Sequence, residues 1–208
     1  MKLPINSLPV GPDEIETLKI ELINTLNNFY QISPNTERDF KQYLKPVLYR
    51  KRDVILDYNI DTCNYMLFLI KGLVKSNFIE KGIERTVWFM RSGEVVIALD
   101  SWYNQEPSEE KLTAMDDCLC FAISYQEMEK LQDSHPDFLK LVLKVTQYYY
   151  RFAIQRNKWM QFTPKERLAS FEEMYPNLFM EIPATDLAKF LGISRDTLNR
   201  LRKEKYRN

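Results

Sequence analysis

Histidine occurs once in these 208 residues, cysteine three times and glycine five times, and each scarcity removes a class of chemistry. His135 is the single imidazole, so the usual general base is available at one position only. With only His135 available beside Cys63, Cys118 and Cys120, a zinc site is not expected. The cysteines are odd in number and form no CxxC pair, which argues against a disulfide framework and excludes a multi-cysteine iron–sulfur site within one chain. A haem would have to rely on His135 or a cysteine with nothing to favour either, so no cofactor and no metal are expected. No glycine-rich phosphate loop occurs. No apolar run reaches membrane-spanning length, and the opening MKLPINSLPVGPDE lacks the apolar stretch of a signal peptide, so the expectation is a cytoplasmic protein without a membrane partner. Net charge is absent too, 29 Lys plus Arg balancing 29 Asp plus Glu. Acidic groups are abundant, but none sits in a motif with a defined chemical role, and His135 beside Pro136 suits helix capping better than catalysis. The chain is not expected to be an enzyme.

What is present is an ordinary globular composition, 45% apolar and 28% charged, whose pattern changes period twice. From Ile15 to Tyr43 it is helical, with Leu18, Leu22 and Leu26 on one face and a second short helix from Asn35 after Ser33-Pro34. From Val47 to Ser124 short runs favour strands: Val54–Leu56, Tyr65–Ile70, Leu73–Ile79, Thr86–Met90, Val95–Leu99 and Cys118–Ile123. Gly72 and Gly82 interrupt them where a hairpin needs a permissive backbone, and Arg91-Ser92-Gly93 closes another run. Short strands without intervening long helices predict an antiparallel roll or sandwich rather than a parallel sheet.

The helical period returns at Tyr125–Leu131 and then, after His135-Pro136, in a long helix to about Lys158. Phe138, Leu141, Val145, Tyr148, Phe152, Gln155 and Trp159 alternate at spacings of three and four, the pattern of an a/d seam. Val142, Tyr149 and Ala153 widen that face. Such a helix either packs wholly on its own domain or covers the sheet with one side and meets a partner with the seam. Its length favours a dimer helix. Thr163-Pro164-Lys165-Glu166 opens a further helix with a capping box and a first-turn proline, ending near Tyr175-Pro176.

The last segment, IPATDLAKFLGISRDTLNRLRK over 182–203, carries the most specific pattern. One helix runs from Thr185 to Leu191 with Leu187, Ala188 and Leu191 inward, Gly192 makes the turn, and Ser194 caps a second helix with Leu198 and Leu201 inward. Ala188 provides the small side chain that two steeply crossed helices need at closest approach. Arg195, Asp196, Asn199, Arg200 and Lys203 face outward, a set suited to the edges and phosphates of a DNA major groove. From Ala184 to Asn208 seven basic residues (Lys189, Arg195, Arg200, Arg202, Lys203, Lys205, Arg207) outnumber three acidic ones (Asp186, Asp196, Glu204), a net +4 that steers toward phosphate.

Here the chain resembles the CRP/FNR superfamily of bacterial regulators over essentially its whole length. The family's recognition helix opens Ser-Arg-Glu-Thr with a second Arg four residues after the Glu, matched by Ser194-Arg195-Asp196-Thr197 and Arg200. The resemblance implies a mixed α and β fold: an antiparallel β-roll (a cupin-like jelly roll) with flanking helices, a long dimerisation helix and a C-terminal, winged-helix-like helix-turn-helix. The divisions expected are 1–133 for a cyclic-nucleotide-binding-like sensor, 134–160 for the dimer helix and 161–208 for the DNA-binding unit. Arg195, Asp196, Asn199 and Arg200 are then the expected base contacts, and Thr185, Ser194, Thr197 and Lys203 the phosphate contacts. The sequence ends seven residues after Leu201, so any wing is expected mainly from Leu178 to Pro183, or to be rudimentary.

The family's nucleotide site holds the ribose with the Glu of Gly-Glu-Leu and the cyclic phosphate with an Arg-Ser pair about ten residues later. Those places fall here on Ile97-Ala98-Leu99 and Ser108-Glu109. Ala98 accepts no ribose hydroxyl, and Glu109 with Glu110 puts negative charge where phosphate would sit, which is adverse to cyclic AMP. Trp88, Phe89, Trp102 and Tyr103 either line an apolar cavity or belong to the core, with Lys111 and Arg91 nearby in sequence. The expected partners are a palindromic double-stranded operator, a second copy of the chain, RNA polymerase if the protein activates, and an effector of unknown identity. The alternative is a dimeric ligand-binding or protein-interaction module that does not bind DNA, favoured if Arg195, Arg200 and Arg202 pair with acids of the same chain.

Overall fold

Helix starts in this chain are written by serine, threonine and proline. In the computed structural model, which describes residues 1, 3–4 and 10–205, α1 (Pro12–Asn27) and α2 (Pro34–Tyr43) both open with a first-turn proline, whose missing N–H is not needed there. Ser33 caps α2 by accepting from the Thr36 N–H, while Leu22, Ile23 and Leu26 form the buried face of α1. Arg207 and the Lys205 side chain lie outside the described residues, as do residues 2 and 5–9 of the opening segment.

Eight strands follow: β1 (Lys45–Tyr49), β2 (Val54–Leu56), β3 (Tyr65–Lys71), β4 (Leu73–Glu80), β5 (Ile83–Arg91), β6 (Val95–Val96), β7 (Glu110–Ala114) and β8 (Cys118–Ser124). They make two four-stranded sheets, ordered β1-β8-β3-β6 and β2-β7-β4-β5, with every pairing antiparallel. This is the antiparallel roll that the short, turn-separated runs predict. Lys81 and Gly82, both at positive φ (52° and 76°), form the two-residue connection of the β4–β5 hairpin. Gly72 serves otherwise than expected. β3 and β4 belong to different sheets, so the chain changes sheet there rather than forming a hairpin. With φ at 112°, a Cβ on Gly72 would lie 2.7 Å from both the Asp117 carbonyl oxygen and Cys118 Sγ.

The run Val95–Leu99 is a strand only at Val95–Val96; Ala98 precedes the short helix α3 (Leu99–Asn104). α4 (Tyr125–Ser134) opens with a Ser124–Glu127 capping box, and the long helix α5 covers Pro136–Trp159. α6 (Pro164–Met174) begins with the expected Thr163–Glu166 capping box. The segment that would have formed a wing is instead the short helix α7 (Leu178–Glu181), with Leu178, Phe179 and Ile182 buried. α8 (Ala184–Leu191) and α9 (Arg195–Lys205) complete the described chain, and no strand follows β8 among the described residues.

Two cores result. The first fills the roll and seals it with α1, α2, α4 and the start of α5, bringing Phe40, Phe68, Phe121 and Phe138 together. The second joins α6–α9 to Leu73 and Phe89 on the β4–β5 sheet. This division decides which face of α5 is free. Phe138 and Leu141, placed by their spacing in the partner seam, are 2% exposed and packed in the chain's own first core, with Val145 against it. Phe152 rests edge-on against Trp88, and Trp159 is buried in the second core. The exposed row lies on another face: Leu139 at 50%, Leu143 at 54%, Tyr150 at 66% and Ile154 at 40%. Tyr148 keeps 40% exposure while touching Phe29.

Candidate nucleic-acid interface and cavity

The α8–turn–α9 unit is built from small local rules. Leu187, Ala188, Phe190 and Leu191 of α8 meet Leu198 and Leu201 of α9 in the second core, with Ala188 3% exposed. Gly192 ends α8 in the left-handed region (φ 65°, ψ 36°), and the Ile193 N–H returns to the Ala188 carbonyl at 3.0 Å. The last carbonyls of α8 are taken up by arginines from elsewhere: Arg167 Nη1 donates to Leu191 O at 2.8 Å and Arg156 Nη2 to Phe190 O at 3.4 Å. Ser194 Oγ accepts from the Thr197 N–H at 3.1 Å and fixes the start of α9.

That start sets the face of α9. Arg195, Asp196, Asn199, Arg200 and Lys203 are all exposed and together border a shallow depression, save for Arg195. Thr185 and Ser194 are exposed beside them and Thr197 is half-buried. Arg195 has no ion-pair partner among the described residues. Arg200 pairs with Glu204 at 3.4 Å, one turn along the same helix, with both side chains mostly solvent-exposed. Arg202 is different: its Nη2 donates to Phe179 O and its guanidinium lies 4.4 Å from the Phe179 ring centre, so it holds α9 to α7.

Contacts that no sequence pattern announced dock this unit on the roll. Lys75 Nζ of β4 reaches Asp186 Oδ1 at 2.9 Å, and Lys189 Nζ reaches Glu84 Oε2 of β5 at 2.6 Å. The Lys189 hydrogen bond holds the Glu84 carboxyl below its usual range, with Asn77 adding a second donor. Phe89 packs against the rings of Phe190 and Phe171, 5.3 and 6.5 Å away. Such contacts join residues about a hundred positions apart, so periodicity cannot reveal them.

Between the roll and α5 lies a cavity of about 620 Å³, within the range of sites that enclose drug-sized ligands. Its walls are mainly apolar and aromatic, among them Phe68, Trp88, Met90, Val145 and Tyr149. Of the expected pocket residues, Ser108 and Glu109 line it, whereas Ala98 is buried before α3 and does not. Trp88 and Tyr103 line it too. Phe89 instead belongs to the second core, and Trp102 packs on Tyr125.

The lining contains Asp100, Glu109 and Glu110 and, among the described residues, no Lys, Arg or His. Both bases near it in sequence are engaged elsewhere, Lys111 with Asp57 at 3.3 Å and Arg91 with Glu94 at 3.2 Å. Burial pushes the Glu110 carboxyl up, while a hydrogen bond from the Ser76 hydroxyl acts in the opposite direction. At the α5 wall the Val95 N–H donates to Tyr149 Oη at 2.8 Å, linking that helix to β6. Thr146, Tyr150 and Ala153 place the cavity rim next to the exposed row of α5.

His135 serves neither site. It occupies the residue before α5 but its side chain makes no cap; Nδ1 lies 3.2 Å from Thr36 Oγ1 and Nε2 3.2 Å from Asp39 Oδ2, joining α5 to α2. Burial raises the thiols of Cys63 and Cys118 to about 11 and Cys120 well above its ordinary value, so all three behave as core side chains. Among the described residues no group of three or more His, Cys, Asp or Glu is arranged to hold a metal.

Residues 46–135 match the family described as the cyclic nucleotide-binding domain. Among solved structures, the chain is similar to a protein from Eubacterium rectale described as a transcriptional regulator of the Crp/Fnr family, with 13% identity, a TM-score of 0.69 and 87% of each chain covered. It is similar also to a CooA mutant from Carboxydothermus hydrogenoformans at 14% identity and a TM-score of 0.64, covering 99% of this chain and 87% of that one. The c-di-GMP responsive global regulator CLP of Xanthomonas campestris aligns at 18% identity and a TM-score of 0.63, covering 84% of this chain and 92% of that one. No curated protein matches the chain in sequence. At these identities the structural likeness is one of fold.

Proposed function

We propose, from a fold similar to that of CRP/FNR regulators and a match of residues 46–135 to the cyclic nucleotide-binding domain, that the chain is a homodimeric, sequence-specific DNA-binding transcription regulator without catalytic activity. The observation that carries this reading is the outward face of α9. Arg195, Asp196, Asn199 and Arg200 stand free of the second core on a helix whose start is fixed by Gly192 and Ser194. In a major groove these four contact base edges, while Thr185, Ser194, Thr197 and Lys203 contact phosphates. The Arg200–Glu204 pair does not oppose this, because an exposed pair within one helix is weak and readily exchanged for phosphate or guanine.

The division runs 1–133 for the sensor, 134–160 for the dimer helix and 161–208 for the DNA-binding unit. The seam on α5 uses Leu139, Leu143, Thr146, Tyr150 and Ile154, since Phe138 and Leu141 are consumed internally. The two copies then read a roughly palindromic operator in the cytoplasm, with RNA polymerase as a further partner where the site lies at a promoter. Cyclic AMP is not the effector: among the described residues no basic side chain lines the cavity to receive its phosphate, and three carboxyl groups oppose it. Selection of sites from random duplex DNA by the purified chain tests the reading. Enrichment of a two-fold-symmetric sequence is expected; failure to enrich any site, with or without cell extract, returns the alternative of a dimeric module that does not bind DNA.

A further inference from the structure

We propose that the cavity between the roll and α5 binds an apolar, ring-bearing molecule carrying one protonated amine, with Glu110 as the partner of that amine. The proposal deepens the regulator reading, on which its role as an effector site rests, but the binding chemistry stands on the cavity itself. A volume of about 620 Å³ walled by Phe68, Trp88, Met90, Val145 and Tyr149 provides apolar surface on several sides. Flat aromatic walls also suit an ammonium group, which is attracted to ring faces.

Charge decides the rest. An anionic ligand would leave water for a space with three carboxyl groups and no compensating cation, the bases around it being paired with Asp57, Glu94 and Asp186. The three acids are not equivalent. Asp100 and Glu109 are exposed at the rim, where they attract a cation without holding it. Glu110 lies deeper, on β7. Its Oε2 accepts from the hydroxyl of Ser76, a residue 1% exposed, and its Oε1 has no partner among the described residues. An ammonium group at Oε1 completes that carboxylate with a charge-assisted hydrogen bond at a half-buried position. The same geometry gives an alcohol one weaker hydrogen bond and gives a carboxylate none.

The experiment uses the purified full chain without DNA and four probes: naphthylethylamine, naphthylethanol, naphthylacetate and cyclic AMP. Affinities are measured by calorimetry, and Trp88→Phe reports by fluorescence whether the naphthyl group lies against that wall. The expected order is the amine roughly tenfold or more tighter than the alcohol, with the acetate and cyclic AMP not detectably bound. Glu110→Gln is expected to remove the preference for amine while leaving alcohol binding in place. Should that variant not fold, the wild-type ranking still decides. Equal binding of amine and alcohol, binding of naphthylacetate or cyclic AMP at the level of the amine, an amine preference that survives in Glu110→Gln, or no binding of any probe overturns the proposal. Because no DNA is present, amine binding by a chain that selects no operator would retain the ligand class and remove the regulator reading, and the reverse result would do the opposite.

Discussion

At the scale of the residue, the exposed α9 side chains separate into groups that mutation should distinguish. Arg195→Ala and Arg200→Ala remove groups able to make two hydrogen bonds to one guanine. Each should weaken binding to a selected operator by roughly 10- to 100-fold and relax preference at one base pair, with the melting temperature unchanged because both side chains are solvent-exposed. Lys203→Ala should weaken selected and random duplexes alike and make the salt dependence shallower by about one unit in the log–log slope. Titrations at several salt concentrations check both; an Arg195→Ala loss equal on all sequences would put that residue on phosphate instead. Arg202 makes the contrast. Its guanidinium packs on Phe179, so Arg202→Ala should lower stability as well as DNA binding. The sequence placed Arg202 among the basic residues but could not say that it faces inward, because helical spacing gives a direction around an axis and not what fills that direction. Gly192 was legible for a physical reason: only a residue without a Cβ takes φ 65° at no cost. Gly192→Ala should therefore cost about 1–2 kcal/mol, and an added Cβ would meet Met160 Cε at 3.0 Å and Arg167 Nη1 at 3.2 Å.

At the scale of the element, α5 shows where pattern reading reaches its end. The helix was legible from its period and its opening proline, but it carries apolar residues on two faces, and spacing alone does not say which face the chain's own domain takes. Phe138 and Leu141 fit an a/d seam as well as Leu139 and Leu143 do. The choice was made by Phe40, whose ring lies 5.1 Å from Phe138, a contact between positions far apart in sequence. β7 carries no strand pattern because Glu110 and Lys111 break its apolar character, though Leu112 and Ala114 are buried on it; the run Val95–Leu99 predicts strand as far as Leu99, the first residue of α3, and says nothing of the rest of that helix. The two faces of α5 give opposite expectations. Leu143→Arg, at an exposed position, should produce a folded monomer with a near-native melting temperature and weakened operator binding. Phe138→Ala should cost about 3–5 kcal/mol of folding stability. Sedimentation and thermal melts on the pair decide it: a Leu143→Arg chain that remains dimeric rules out the exposed row as the seam.

At the scale of the whole molecule, the docking of α8 on the β4–β5 sheet fixes where α9 stands relative to α5, and hence, in the proposed dimer, how far apart the two copies of α9 lie. Three groups hold that docking: the Phe89 ring among Phe171 and Phe190, the Lys75–Asp186 pair and the Lys189–Glu84 pair. They differ in how they respond to conditions. Glu84 has its folded-state pKa lowered by the Lys189 hydrogen bond, so its contribution is present above the ordinary value of 4.5 and is lost as pH falls through the lowered value. Between pH 6 and 8, by that sign, the docking should not loosen through this pair; acid below the ordinary value of 4.5 should progressively weaken it. Limited proteolysis across the 160–163 connection at stepped pH measures that release. The Phe89 contact has no such dependence, being apolar. Phe89→Ala should free the DNA-binding unit at neutral pH, leaving α9 and its exposed face intact on its own core of Leu187, Leu198 and Phe171. If docking sets half-site separation, the wild-type chain selects operators of one spacing, and the Phe89→Ala chain selects the same half-site over a broader range of spacings. A spacing distribution as narrow as wild type would mean that α5 and α6 alone position the recognition helix, and the ion pairs and rings between α8 and the roll would then concern stability rather than the geometry of reading DNA.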